Sequence, residues 1–420
     1  MQRSRGILGA AVSLALATSP AFAQRAVETP SADTAAPTGE IPVPPSGMPT
    51  SICGPDIICG GELTNQAQAI VNSNPRTHVG VADDSNLDLY ANYSNWLSLY
   101  STFKFERARD DNLDSYYSQR NAFFRSEALT LPQLFAAIRP APGLTVYGGK
   151  IHPNFGSAYD QEPSIFYNFG NDYEQDERIG VGAEYLLPEA LGHRLRLSVE
   201  SFFLDTSPLS NSVFSRPKIG DFDPTARPYR FTLGQFGPSN TESLSSYTVA
   251  LRGGEAERGL TWQASFTKEA TDDPTAKPEY GESISAMYDP TGDGMRLGDR
   301  LGLTPFLEYT HFNNFANTPD MERHYLIGGL QFTYVRWQLV FAGGVRRSID
   351  PANPSGQAYS NALALQETHS WDHQENVSLS YTFPFAISYN FTVGGGVNHT
   401  VIAGRDSWSF GPSAQLSVKF

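Results

Sequence analysis

The stretch DSWSFGPSAQLSVKF, residues 406–420, decides how the rest of the chain is read. Its even positions are Trp408, Phe410, Pro412, Ala414, Leu416, Val418 and Phe420; its odd ones are Ser407, Ser409, Gly411, Ser413, Gln415, Ser417 and Lys419. Side chains alternate between the two faces of a strand, so this pattern gathers every apolar residue on one face. Strands of soluble sandwiches average about five to six residues, whereas crossing a bilayer takes about nine to eleven. The alternation here outlasts both.

The same period recurs upstream. Leu195, Leu197, Val199, Ser201 and Phe203 alternate with Arg194, Arg196, Ser198, Glu200 and Phe202. Leu260, Trp262, Ala264 and Phe266 alternate with Thr261, Gln263, Ser265 and Thr267. Trp337, Leu339, Phe341, Gly343 and Val345 alternate with Arg336, Gln338, Val340, Ala342 and Gly344. In a barrel the apolar set meets lipid and the polar set lines the lumen.

The connections favour a barrel over a sandwich. Short links stand at Pro140–Gly143, Pro188–Gly192, Gly253–Arg258, around Val335 and around Pro384. Long polar stretches lie between them, at 106–120, 153–177, 205–243, 269–280, 313–322, 347–375 and 398–406. Only Asp289 to Arg300 is longer than a short-side link should be. Short and long links alternate when one rim faces the periplasm and the other the outside. The expectation is an all-β, antiparallel, up-and-down transmembrane barrel of about fourteen strands, within a range of about 12–16. Tyr334, Trp337, Phe383, Phe385 and Trp408 sit where interfacial aromatics belong.

Segments before the barrel read differently. Arg3 and Arg5, the apolar run Ile7–Ala17 and Ala21-Phe22-Ala23 have the form of a cleaved secretory leader over 1–23. Residues 24–75 are rich in Pro, Ser, Thr and Ala and read as a periplasmic linker, with a short helix conceivable over Glu62–Val71. Cys53 and Cys59 are the only cysteines, and in an oxidising compartment they are expected to close a small disulfide loop. The barrel is expected over 76–420. No run of about twenty apolar residues supplies a spanning helix after the leader.

Charge excludes one class of partner. The chain carries 44 acidic and 30 basic residues, and removing Arg3 and Arg5 leaves 28 basic, hence −16. A nucleic-acid binder needs a basic footprint, so nucleic acid is not expected as a partner. Extending the alternation puts Glu184, Arg194, Arg196, Glu200, Glu308, Arg336, Arg346 and Lys419 on the lumen face. Unpaired buried charge is costly, so these must pair or meet water. The stretch 205–243 contains Phe214, Phe222, Tyr229, Phe231 and Phe236 and is read either as a loop folding inward over the pore or as one packing on its neighbours.

The stretch LPQLFAAIRPAPGLTVYGGKIHPNFGSAYD, Leu131 to Asp160, closes on Gly149-Lys150-Ile151-His152-Pro153-Asn154-Phe155-Gly156. It resembles the GK…P.FG segment of phosphate-selective-type and related substrate-specific porins, and the alternation ending on Phe420 resembles the C-terminal signature of outer-membrane barrels. The resemblance implies a diffusion channel for small hydrophilic solutes in a Gram-negative outer membrane, inserted by the assembly machinery and surrounded by lipid and lipopolysaccharide. No arginine ladder recurs through the strands, so phosphate selectivity is not carried over. A homo-oligomer stays open. So do a barrel that anchors or receives a partner and an outer-membrane hydrolase, although no catalytic signature accompanies the dispersed histidines and His369 and His373 fall in a long connection. No enzyme activity, metal or cofactor is expected.

The alternation of links makes the orientation testable. Cysteines placed at Asn211, Asp273 and Gly356 should label from outside intact cells, and one in the Gly253–Arg258 turn should not. Equal labelling of both sets would reject this orientation.

Overall fold

The computed structural model describes residues 57–72, 78–94, 96–107, 122–123, 127–163, 165–166, 169–187, 195–210, 237–255, 259–288, 301–350, 371–386, 389–402 and 404–420. The leader and most of the linker, Cys53 included, lie outside these residues. So do Arg194, Asp289 to Arg300 and the centre of the 205–243 stretch, including the aromatics that nominated it as a constriction.

The strands are β1 (Ile57–Asn72), β2 (His78–Tyr93), β3 (Leu97–Arg107), β4 (Ala122–Phe123), β5 (Glu127–Ala141), β6 (Leu144–Ile151), β7 (Arg178–Leu186), β8 (Leu195–Leu204), β9 (Ser246–Glu255), β10 (Leu260–Glu269), β11 (Glu279–Tyr288), β12 (Leu301–Asn313), β13 (Glu322–Tyr334), β14 (Trp337–Ile349), β15 (Trp371–Ala386), β16 (Tyr389–Ile402) and β17 (Arg405–Lys419). The two-residue β4 pairs in parallel with β2 and stands apart from the ring. The other strands form a closed antiparallel barrel of 16 strands, each paired with its sequence neighbour. Sixteen is the upper end of the expected range.

Closure is made by β1 against β17. Glu62 stands opposite Lys419 and Ala67 opposite Ala414, and Gly61 and Phe420 exchange backbone hydrogen bonds of 2.8 and 2.9 Å. The expected boundary at residue 76 is therefore wrong. The wall begins at Ile57, and Glu62–Val71, read as linker with a conceivable helix, is strand. Its outward row, Leu63, Asn65, Ala67 and Ala69, is too small and polar to announce a lipid-facing strand, and Asn65 instead donates to Ser85 across the β1–β2 ladder at 2.7 Å. Cys59 on β1 is disulfide-bonded.

Strand ends also shift. β16 runs to Ile402 and β17 starts at Arg405, so the expected loop 398–406 shrinks to residues 403–404. Pro384 is inside β15, which runs to Ala386, at an irregularity in its pairing with β16. Val335 takes φ 57° in a two-residue turn, and that turn also contains Arg336.

The outer face is apolar at mid-height, with Val199, Ile284, Leu307, Leu326, Phe341, Val377, Leu379 and Val397 exposed. Aromatic side chains mark both margins. Tyr93, Trp96, Tyr334, Trp337, Phe385 and Tyr389 ring the short-turn end, and Tyr247, Trp371 and Trp408 lie toward the other. An apolar band between aromatic girdles is the signature of a bilayer-spanning barrel. Inward residues in the same strands are polar and covered, including Gln374, Asn376, Ser378 and Ser380 of β15.

Face assignment predicts the outcome of charge insertion. Leu379→Arg, at mid-wall on the lipid face, should cost roughly 2–4 kcal/mol of barrel stability, and Leu416→Arg less because it lies nearer a rim. Gln415→Arg, on the inner face, should fold in near wild-type yield. Heat-modifiable mobility and urea titration in micelles read both, and equal losses for Leu416→Arg and Gln415→Arg would overturn the face assignment.

Candidate functional site: a segment folded into the lumen

The connection between β6 and β7, residues 152–177, turns into the barrel. Two glycines make the entry. Gly149 has φ +140° and leaves no room for a side chain, since a Cβ there would lie 2.4 Å from the Leu134 carbonyl oxygen. Gly156, at φ +67°, reverses the chain under the Tyr173 ring, where a Cβ would sit 2.8 Å from Cε2. Positive φ at close approach is what glycine permits at little cost. The Gly149–Gly156 stretch that carries the family resemblance thus leads from the end of β6 into the inward segment. Beyond it come one helical turn, Ala158–Gln161, and a 3-10 turn, Phe169–Tyr173.

An apolar cluster anchors the segment to one side of the wall. Phe155, Ala158, Phe169 and Tyr173 pack with Met287, Phe306, Phe312, Tyr325 and Ile327 of β11, β12 and β13. Phe155 meets Phe312 edge-on at 5.4 Å, and Tyr173 meets Tyr325 at 4.9 Å. Such pairs contribute about 0.5–1.5 kcal/mol each beyond area burial. The wall makes room where the segment touches it elsewhere. A Cβ at Gly329 would lie 2.7 Å from Pro163 Cδ, and one at Gly396 would lie 3.0 Å from Phe166 Cε2.

Polar side chains of the wall clamp the same segment. Glu308 on β12 accepts from the Ser157 amide at 2.6 Å and hydroxyl at 2.7 Å, and from the Tyr173 hydroxyl. Glu200 on β8 accepts from Tyr147 Oη at 2.7 Å and from the Asn154 side chain. Gln175 donates to Thr267 and Glu269 of β10 at 2.9 and 3.0 Å. Arg346 on β14 binds Asp372 of β15 at 2.7 and 3.0 Å, pairs with Asp172 of the segment, and lies over the Phe169 ring. Gln68 of β1 donates to the Ile165 carbonyl at 3.0 Å, so the segment spans the lumen from β6 to the seam strand.

The lumen residues expected from alternation meet different fates. Glu200, Glu308 and Arg346 converge on the inward segment. Glu184 and Arg196 pair with each other at 3.5 Å on β7 and β8, and Lys419 lies 3.7 Å from Glu62 at the seam. Arg336 does not line the lumen: it occupies the exposed turn between β13 and β14, where alternation no longer applies. Arg194 lies outside the described residues. Sequence reading missed Lys150, which pairs with Asp205 at 3.0 Å and Glu177 at 3.3 Å, and Arg178, which pairs with Glu269 at 3.1 Å. It also missed the segment itself. Phe155, Ile165, Phe166, Phe169 and Tyr173 within one connection were the available signal, and the acidic residues among them masked it.

One acidic cluster of the segment is partly exposed. His152 Nδ1 donates to Asp176 Oδ1 at 2.8 Å, and its ring stacks on Tyr159 at 5.0 Å. Glu174 lies beside this pair, and Lys104 of β3 acts on it electrostatically from the wall. Burial works against the charged imidazole of His152, but the Asp176 hydrogen bond and the surrounding carboxylates outweigh it and raise its pKa to about 9. Glu174 is pushed up to about 8, chiefly by burial and next by the Asp176 charge. Burial also opposes ionisation of Asp176, yet the His152 contact holds it below the usual carboxylate range. Near neutral pH the trio is therefore an ion pair with a protonated acid next to it.

No protein-family model matches the chain, and no curated protein matches it. Among solved structures it is similar to the outer membrane channel DcaP of Acinetobacter baumannii, at 14% identity and a TM-score of 0.53, over 88% of this chain and 99% of that one. It is also similar to OmpF of Salmonella typhi, solved in complex with daunomycin, at 10% identity and a TM-score of 0.50, over 87% and 98% of the two chains. At these identities the likeness is one of fold: a closed outer-membrane-type β-barrel.

Proposed function

We propose that this protein is an outer-membrane channel for passive diffusion of small hydrophilic solutes, narrowed by the segment 152–177. The observation that carries this reading is the 16-strand closure around a polar inner face. Eight strands are filled by their own side chains, while barrels of about 16–18 strands enclose an aqueous channel. A segment that crosses such a lumen at one height constricts it. DcaP, which shares the fold, is an outer membrane channel, and this agrees with the reading. The finer likeness to phosphate-selective-type porins rests on the Gly149–Gly156 stretch and extends to class alone. Lipid and lipopolysaccharide outside, and a homo-oligomer within the membrane, fit the same reading.

Charge pairing sets the expected selectivity. Two of the arginines that would oppose cations are neutralised: Arg196 by Glu184, Arg346 by Asp172 and Asp372. The chain's surplus of carboxylates then dominates, and a passage lined by one sign of charge concentrates its counter-ions. The purified protein in a planar bilayer should show a reversal potential for cation preference across a potassium chloride gradient. Mouth charges act over about 10 Å at 0.1 M salt, so the preference should fade as ionic strength rises. A clear anion preference would shift weight to the basic residues, and a silent bilayer would favour an anchoring or receptor role.

The acidic trio adds a pH dependence of defined sign. Glu174 loses its proton as pH rises through about 8, and His152 loses its positive charge through about 9. Each step makes the constriction more negative. Cation preference should therefore grow between about pH 7 and about pH 10, where few other side chains besides lysine and tyrosine titrate. Glu174→Gln should remove the lower part of that rise. A reversal potential flat over this range would place the trio away from the ion path.

A further inference from the structure

Outside the lumen, near the rim that carries the long connections, β12 and β13 bring together a set of donor atoms unrelated to transport. His311 and His324 are directly opposed across the ladder, with rings stacked 4.6 Å apart at an interplanar angle of 19°. Glu322 precedes His324 by two residues and so shares its face, with Oε2 3.7 Å from His324 Nε2. One donor atom from each of the three lies within 4.8 Å of the others. We propose that His311, Glu322 and His324 form a binding site for a divalent transition-metal cation of the zinc type on the outer surface of the barrel.

Donor chemistry and preorganisation both favour such a cation. Two imidazoles and a carboxylate form a borderline-soft nitrogen–oxygen set that suits zinc, which binds histidine nitrogen at about 2.0–2.1 Å and carboxylate oxygen at about 2.0–2.2 Å. The antiparallel ladder fixes the Cα positions, so only side-chain rotations are needed to draw the donors together. Three protein ligands leave the fourth tetrahedral position to water. Metal-bound histidines are typically oriented by a hydrogen bond at the other ring nitrogen. Here Tyr309 Oη lies 3.0 Å from His324 Nδ1, and with the cation on Nε2 the Nδ1 proton is donated to that oxygen.

A plain ion pair between His324 and Glu322 does not account for the arrangement. Protonating His324 would set a positive charge against the stacked His311 ring, and a bound cation instead uses the lone pairs of both. Arg347 stands opposite His324 on β14, but its guanidinium leans over the Trp371 ring of β15 at 5.4 Å, on the side away from β12. The other outer histidine pair supplies a comparison. His373 and His399 lie 5.7 Å apart at 64°, and His399 is already engaged, stacked on Trp408 with Nε2 3.1 Å from Asp406.

Zinc binding to the full chain in detergent micelles, measured by competition with a colorimetric chelator near neutral pH, tests the site. Loss of an outer hydrogen-bond partner alone costs about 10–100-fold in metal affinity, so His311→Ala and His324→Ala should each cost at least about tenfold. Glu322→Gln should weaken binding, Tyr309→Phe should weaken it without abolishing it, and His373→Ala with His399→Ala should leave it unchanged. Heat-modifiable mobility confirms that each variant has folded, with His311→Gln and His324→Gln as replacements for any alanine variant that does not. Wild-type protein that binds no zinc in the micromolar range would overturn the proposal. So would wild-type affinity in both β12–β13 histidine variants, or a loss confined to the His373/His399 variant.

Discussion

In hydrocarbon no water satisfies a backbone amide, so a spanning sheet with a free edge is not viable. Everything else in this barrel follows from the ladder that removes that edge, β1 against β17. The seam joins residues as far apart in sequence as Glu62 and Ser417, whose side chains share a hydrogen bond of 2.6 Å. Closing at sixteen strands makes the lumen wide enough to admit a folded segment of the chain. A narrower barrel would have to fill its interior with wall side chains alone.

The interior is part packed core and part polar lining. Toward β11–β13 it resembles a soluble protein's core, with aromatic rings packed edge to face and glutamates saturated by hydroxyl and amide donors. Toward the acidic trio it is polar, and an ion pair stands beside a protonated acid. Ionised groups taken from water are costly unless paired. Arg346 and Lys150 answer that cost with two carboxylates each, and Arg178 and Arg196 with one.

How much of this was legible follows from which solvent imposes the pattern. Lipid tolerates little polarity, so the outward rows of β8, β14 and β17 read clearly from period two. β1 did not, because its outward Asn65, Ala67 and Ala69 are too polar or too small to announce a lipid-facing strand, and its loss lowered the strand count. Alternation says which face a residue takes but not what meets it there: Glu200 and Glu308, read as charges that either pair or meet water, are covered by the inward segment. It also fails at turns, as Arg336 shows. The segment itself was hidden because its acidic residues gave it the composition of a surface loop, while the same aromatic signal drew the reading to 205–243.

The inward segment has a mechanical consequence as well as an electrical one. It is tied by hydrogen bonds or ion pairs to β8, β10, β12, β14 and β1, strands on widely separated arcs of the ring, and Gly329 and Gly396 hold it in fitted recesses. A hollow hoop flattens easily into an ellipse; a hoop with a tie-rod fastened at several points does not. Lateral pressure from the bilayer is therefore shared between opposite walls, and the cross-section of the passage is held by the rod rather than by the hoop.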